Sequence, residues 1–343
     1  MKYLITGGCG FVGSHLADYL VAAGYNVLAL DNLATGSYHN IAHLDGNPRF
    51  QFLFGSVLDP DIVAEAVHSC DGVFHLASAV GVKLIMERPV ETIETIFQGT
   101  DTVLRFAARY RKRVLITSTS EVYGKSEVVP FREDGDRLEG PTTKHRWAYA
   151  CAKALDEFLV LAHWKQSRLP VIVARLFNTV GPRQTGQYGM VIPTFIRRAL
   201  ANEPVEVHGD GLQRRCFAHV LDVVEALAAL MHCSRAFGEV VNIGSQEEVT
   251  ILDLATRIKS LTGSQSEIRI ISYSAAYGEG FEDMQRRVPA LDKVWDLIRW
   301  RPCRQLEETL RDMIQHQGRE PVGAAARPGR PVAPSPVGAE GTA

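Results

Sequence analysis

Residues 2–13 read Lys2-Tyr3-Leu4-Ile5-Thr6-Gly7-Gly8-Cys9-Gly10-Phe11-Val12-Gly13, an apolar run that breaks into glycines. A helical period through Leu16, Tyr19 and Leu20 comes next, and then a second apolar run, Val27 to Leu30. Strand, glycine turn, helix and strand make half of a βαβ fold. In such a unit Gly7 allows the tight turn, Gly10 lets a pyrophosphate approach the backbone at the helix N-terminus, and Gly13 permits close helix packing. The second strand ends in Asp31, whose carboxylate can accept from both ribose hydroxyls of an adenosine. A 2′-phosphate at that place would meet like charge, so the expected cofactor is NAD rather than NADP.

Outward from this unit the alternation continues. Apolar runs at Phe50–Phe54, Gly72–Leu76, Arg113–Thr117 and Pro170–Leu176 are separated by helical patterns near Asp61–Val67, Pro89–Tyr110 and Tyr149–Lys165. Apolar strands alternating with helices predict an α/β fold, a Rossmann-type doubly wound parallel sheet covered on both faces. After Asn178 the pattern loosens into a loop at Gly181–Gly189, a helix near Ile192–Ala201, a strand at Val205–His208, and helices near Val220–Met231 and Ile251–Leu261. The expected division is a dinucleotide-binding domain over 1–180 and a smaller substrate-binding domain over 181–316, with some segments returning to the first. Residues 317–343 hold five of the chain's 16 prolines and almost no large apolar residue, which predicts a disordered tail.

The chain's 343 residues are 46% hydrophobic and 22% charged, with a formal net charge of −2, which excludes a disordered chain and a broad basic nucleic-acid surface. Cys9, Cys70, Cys151, Cys216, Cys233 and Cys303 form no CxxC pair, which argues against a zinc ribbon, a redox dithiol or a disulfide framework. No run reaches the ~18 uncharged apolar residues of a membrane span. The expectation is a cytoplasmic protein with buried thiols and no metal.

Two further motifs carry chemistry. The strand at Arg113 runs into Ser118-Thr119-Ser120-Glu121-Val122-Tyr123-Gly124, which puts hydroxyls and a carboxylate at a strand's C-terminal end, where open α/β sheets bind ligands. Farther on, Tyr149-Ala150-Cys151-Ala152-Lys153 sets a phenol and an ammonium at i and i+4 on one helix face. A lysine beside a tyrosine is expected to lower the phenol pKa and make it a general base.

With TGGCGFVG, His75-Leu76-Ala77-Ser78, STSEVYG, YACAK, the run Arg175-Leu176-Phe177-Asn178-Thr179-Val180-Gly181-Pro182-Arg183 and the run Gly209 to Phe217, the chain resembles the sugar-nucleotide epimerase, dehydratase and decarboxylase branch of the extended short-chain dehydrogenases. The resemblance covers about residues 2 to 314. It implies a cofactor site of Gly7, Gly10, Phe11, Val12, Gly13, Asp31, Asn32, Val57, Leu76, Ala77 and Ser78, shared with Tyr149 and Lys153. Ser56 stands where that class usually has Asp. A nucleotide sugar, expected to be UDP-linked, would be held by Asn178, Arg183, Val191, Arg215 and Arg287. Arginine suits a diphosphate because its planar fork gives bidentate charge-assisted bonds. His75 is expected to pack or hydrogen-bond below the nicotinamide. The resemblance also implies a homodimer formed through Pro89–Tyr110 and Tyr149–Lys165, with Leu155, Phe158 and Leu159 as apolar surface.

In that branch Tyr149 takes the proton of the sugar C4 hydroxyl while hydride goes to NAD, Thr119 steadies the oxygen, and Lys153 holds the ribose. The residues beside Thr119 select the fate of the 4-keto sugar. Glu121 is a carboxylate of the kind found in enzymes acting at C5 or C6, where simple 4-epimerases have small or hydroxyl residues. The triplet Thr119-Ser120-Glu121, the approach Arg146-Trp147-Ala148-Tyr149 and the run Tyr277 to Pro289 containing Arg287 look like UDP-glucuronate decarboxylases. Gly186–Pro193 is closer to epimerases, and GDP-mannose dehydratases share Thr-Ser-Glu, so 4-epimerisation and 4,6-dehydration remain alternatives. A non-catalytic NAD-sensing regulator is disfavoured because both Tyr149 and Lys153 are present.

Overall fold

The computed structural model describes residues 1–78, 88–144, 147–186, 189–277 and 284–319. Arg146, most of the Tyr277–Pro289 run before Met284, and the tail from Glu320 lie outside them. The first half comprises β1 (Lys2–Thr6), α1 (Phe11–Ala22), β2 (Asn26–Asp31), β3 (Phe50–Phe54), α2 (Pro60–His68), β4 (Gly72–His75), α3 (Pro89–Tyr110), β5 (Arg113–Thr119), α4 (Ala148–Ser167) and β6 (Val171–Leu176). The second comprises β7 (Thr179–Val180), α5 (Val191–Leu200), β8 (Val205–His208), β9 (Arg214–Cys216), β10 (Ala218–His219), α6 (Val220–His232), β11 (Glu239–Ile243), β12 (Glu248–Thr250), α7 (Ile251–Thr262), β13 (Ile268–Ile271), α8 (Tyr273–Tyr277), β14 (Arg286–Arg287), α9 (Asp292–Ile298) and α10 (Leu306–Arg319).

A seven-stranded sheet runs in the order β11-β6-β5-β4-β1-β2-β3, and all its pairings are parallel. Tyr3, Leu4 and Ile5, like Val114, Leu115 and Ile116, are fully buried in succession, because helices cover both faces. Alternate residues serve opposite layers. Tyr3, Ile5, Phe74 and Leu115 pack under α1 and α6, while Leu4, Val73, Val114 and Ile116 pack under α2 and α3. Each such fully buried aliphatic side chain contributes about 1.5–3 kcal/mol. Strand order reverses between β1 and β4, so the ligand crevice opens at their C-terminal ends.

The later part of the chain is not one unit. The helix at 220–232, which from sequence falls in the substrate-facing region, packs on the α1 face of the main sheet. β11 has no counterpart among the strands expected from sequence. Glu239 and Asn242 interrupt its short apolar run, yet it pairs with β6 as an edge strand. Leu291, Val294 and Trp300 join the same core. A second core is built by Ile192, Phe195, Val205, Val249, Leu254, Ile258, Leu310 and Met313, contributed by α5, β8, β12, α7 and α10. The boundary expected for the tail needs correction: residues 317–319 are helical, because α10 presents Leu306, Leu310 and Met313 to that core at helical spacing and continues to Arg319. All six cysteines are free thiols, but only Cys9, Cys70 and Cys216 are buried as expected; Cys233 is half-buried, and Cys151 on α4 and Cys303 after α9 are exposed.

Candidate active site

The glycine loop joins β1 to α1 at the crevice. Gly7 has φ +71°, and a Cβ there would lie 2.9 Å from the Ala77 amide nitrogen. At Gly13 a Cβ would come within 2.1 Å of the Gly7 carbonyl oxygen, so α1 can approach the loop only without a side chain. Gly10 caps α1 with no side-chain hydrogen bond, leaving the amides ahead of Phe11 and Val12 to an anion. Asp31 ends β2 with 8% exposure, its Oδ2 accepting from the Cys9 amide at 2.9 Å and its Oδ1 from the Leu33 amide at 2.8 Å. Burial pushes its carboxyl pKa up, opposed by those two donors, and each oxygen keeps a further acceptor position. Asn32 is exposed, and its side chain accepts from the Ala34 amide at 3.1 Å. Val57 is buried against Gly99 of α3. The Ser56 hydroxyl accepts from the Leu58 amide at 3.2 Å. Leu76 and Ala77 are tied to β1 by their amides, to the Thr6 carbonyl at 3.1 Å and the Thr6 hydroxyl at 3.2 Å, with half-buried Ser78 next.

β5 delivers Thr119 to the same edge, where its hydroxyl accepts from the Glu121 amide at 3.2 Å and starts a 3-10 turn over Ser120–Tyr123. Buried Ser120 lies in that turn. Tyr149 stands in the first turn of α4 behind buried Trp147, and Lys153 is one turn on at 3% exposure. The expected lowering of the phenol pKa is not what the structure holds. Burial drives Tyr149 upward and the Glu121 charge adds to it, while the Thr119 and Ser78 hydroxyls act the other way. Lys153 donates instead to Asp156 at 2.9 Å, so its charge is largely offset. Burial and the Glu121 charge thus oppose ionisation of Tyr149, and the two hydroxyls favour it.

Arg287 on β14 forms an ion pair with Glu121, and both are largely buried. β14 lies parallel to β9 with Arg287 opposite Arg215, which sets two buried arginines side by side. A bidentate pair between Arg286 and Glu248, at 2.6 and 2.7 Å, fastens β14 to β12 across that three-stranded sheet. Thr119, Glu121, Tyr149, Lys153 and Arg287 are thus the residues that sequence singled out and the fold gathers. Others are engaged elsewhere. Arg183, at φ +66°, pairs with Asp18 of α1 at 2.8 Å. Asn178, at φ +30°, donates to the Cys216 carbonyl at 2.8 Å. Half-buried Val191 opens α5.

The model of the NAD dependent epimerase/dehydratase family matches residues 3–244. This chain belongs to that family. A UDP-N-acetyl-alpha-D-glucosaminuronate decarboxylase of Bacillus cytotoxicus is 44% identical over 315 residues, 92% of this chain and 97% of the relative. UDP-glucuronic acid decarboxylase 1 of Danio rerio is 39% identical over 319 residues, 93% of this chain and 73% of the relative. Among solved structures, UDP-glucuronic acid 4-epimerase from Bacillus cereus, in complex with UDP-glucuronic acid and NAD, superposes with a TM-score of 0.83 at 26% identity, covering 92% of this chain and 98% of that one. The family's cofactor is NAD, and the side-chain-free cradle at Gly7 and Gly13, with Asp31 closing β2, fits it.

The chain backs its crevice with buried polar groups, several of which the motifs alone do not mark. Glu157 of α4 takes Arg175 of β6 at 2.7 and 3.0 Å and the Ser118 hydroxyl of β5. The Arg175 guanidinium lies 4.7 Å from the Tyr123 ring centre, and Tyr123 donates to Asn242 of β11 at 2.7 Å. These bonds lock α4 to the strands that carry Thr119. His75 bridges the Thr6 and Thr100 hydroxyls at 2.8 and 3.2 Å, and burial with the Lys153 charge pushes its pKa down to about 3. An acidic residue directly after the lysine turn, as at Asp156 and Glu157, was the available signal for this network.

Proposed function

We propose that this enzyme is a UDP-uronate decarboxylase, with UDP-glucuronate as substrate and UDP-xylose or its 4-keto form as product. The observation that carries the reading is the buried Glu121–Arg287 pair beside Tyr149. A 4-epimerase has no step at C5 that needs a cation and a carboxylate at that place. The decarboxylases among its relatives support the same reading.

Tyr149, aided by the Thr119 hydroxyl, takes the proton of the sugar C4 hydroxyl. NAD, when bound, supplies the hydride acceptor for C4 oxidation. A C5 carboxylate next to a C4 ketone is a β-keto acid and loses CO2. Arg287 gives that carboxylate a guanidinium partner; as the C5–C6 bond breaks, its electron pair passes into the C4 enolate, and C5 then takes a proton that Glu121, released from Arg287, relays from water. Arg215, buried beside Arg287, supplies charge-assisted bonds to the diphosphate, while Asn178 ties the turn after β6 to β9 through the Cys216 carbonyl. Arg183 supports α1 rather than the sugar.

A second reading concerns the sugar alone. The 44%-identical relative is named for a 2-acetamido uronate, so UDP-N-acetylglucosaminuronate is the alternative substrate of the same chemistry. Incubation with NAD and a panel of UDP-sugars, followed by mass spectrometry, tests both. Loss of CO2 from one uronate supports decarboxylation, and an unchanged mass or loss of water overturns it.

The homodimer belongs to this reading. Ile93 of α3 and Leu155 and Phe158 of α4 are 42%, 49% and 64% exposed, while Leu159 turns into the sheet core, so the first three supply the two-fold face. A monomeric mass at micromolar concentration would count against it. Six free thiols and the absence, among the described residues, of a helix fit to cross a membrane support a cytoplasmic location.

A further inference from the structure

Lys153 stands one turn beyond Tyr149 on α4, and its ammonium donates to Asp156 Oδ2 at 2.9 Å. Lys153 is 3% exposed and Asp156 is fully buried. A buried pair of this kind is weak evidence for stability, since desolvation of both partners offsets most of their attraction. Its position points elsewhere. We propose that Asp156 is the counter-ion of Lys153 and a positioning residue of the reaction, holding the ammonium at one point on α4 and offsetting the positive charge that Lys153 presents to Tyr149 and the cofactor. The proposal rests on the reading of Tyr149 as the base.

The charged and titratable groups packed around the pair are few. On α4 itself, Glu157 is matched by Arg175 from β6 and takes the Ser118 hydroxyl from β5. From β4 comes His75, which burial keeps neutral, and from α3 comes the Thr100 hydroxyl, next to both His75 and the Asp156 carboxylate. From the turn after β5 comes Glu121, matched by Arg287 of β14. Each of the other anions has its own arginine, and Asp156 has Lys153. The Asp156 charge acts on Tyr149 in the same sense as Glu121, favouring the phenol. Without it, Lys153 acts on the phenol undiminished, and phenolate forms at lower pH.

The test compares wild type with Asp156→Asn, whose amide oxygen stands where it can accept from Lys153 Nζ, and Asp156→Ser, whose shorter side chain does not reach it; melting temperatures identify the folded variants. Two readouts are taken. The acidic limb of the kcat/KM profile is expected to move down by about half a pH unit or more, roughly a threefold gain on that limb. The ratio of the dissociation constants of NAD+ and NADH, measured by calorimetry without substrate, is expected to rise at least about threefold, because an uncompensated lysine opposes the cationic nicotinamide. In a folded variant, a limb that stays in place or climbs, or an unchanged ratio, overturns the proposal. A wild type that converts no UDP-uronate would sink the functional reading, and the binding ratio would still decide this one.

Discussion

Arg287, on the two-residue strand β14, closes on Glu121 in the turn after β5, and the two form a buried ion pair beside the phenol of Tyr149. A substrate carboxylate entering here must compete with Glu121 for the guanidinium. In the proposed decarboxylation, that exchange couples recognition of a uronate to release of Glu121 for its proposed work at C5.

Glu121→Gln is therefore expected to abolish product while C4 oxidation still proceeds, visible as NADH absorbance that accumulates under substrate. The amide keeps the shape and hydrogen bonding of the carboxylate but cannot exchange the proton. Retained conversion in this variant, with an unchanged sugar mass in the wild type, would promote 4-epimerisation.

Tyr149→Phe should lower turnover by at least ~10²-fold, the lower range for loss of a positioned general base. The variant should remain folded, because Trp147 and Ala150, not the phenol oxygen, carry the packing of this turn. Near-normal turnover would remove Tyr149 from the mechanism.

Asp31 predicts strong preference for NAD. In a binding titration NADP should bind at least about tenfold more weakly, since its 2′-phosphate meets a buried carboxylate already tied to the Cys9 and Leu33 amides. Asp31→Asn should narrow the gap from the NADP side. Equal affinity in the wild type would show that Asp31 does not read the ribose.

Stability should fall on the acid side of neutrality. His75 and His15 have pKa values pushed down by burial to about 3 and about 4, against an unfolded value near 6.5. The unfolded chain thus binds more protons, and stability is lost as pH falls from about 6.5 toward those values. Melting temperature should drop between pH 7 and pH 5, and His75→Asn should flatten the slope. A variant slope equal to that of the wild type would mean that His75 does not contribute.

Local features carried most of what could be read in advance. The loop Gly7-Gly8-Cys9-Gly10, the apolar runs of β1 to β6 and the i, i+4 spacing of Tyr149 and Lys153 depend on backbone freedom, on strand and helix periods and on near neighbours, and all of these are written in a few consecutive residues. Family motifs likewise placed Glu121 and Arg287 on the same short list. Whether those two meet was decided only when β14 paired with β9 and carried Arg287 across the crevice. The same holds for β11, whose interrupted run becomes a strand only against β6, and for Arg183, which the fold turns toward Asp18. The environment of Tyr149 shows the physical reason most directly. Its distance from Lys153 along the helix is fixed by sequence, but the water removed by packing and the partner Lys153 finds in Asp156 are properties of the assembled interior, and these push the phenol pKa up where the spacing alone predicts it to fall.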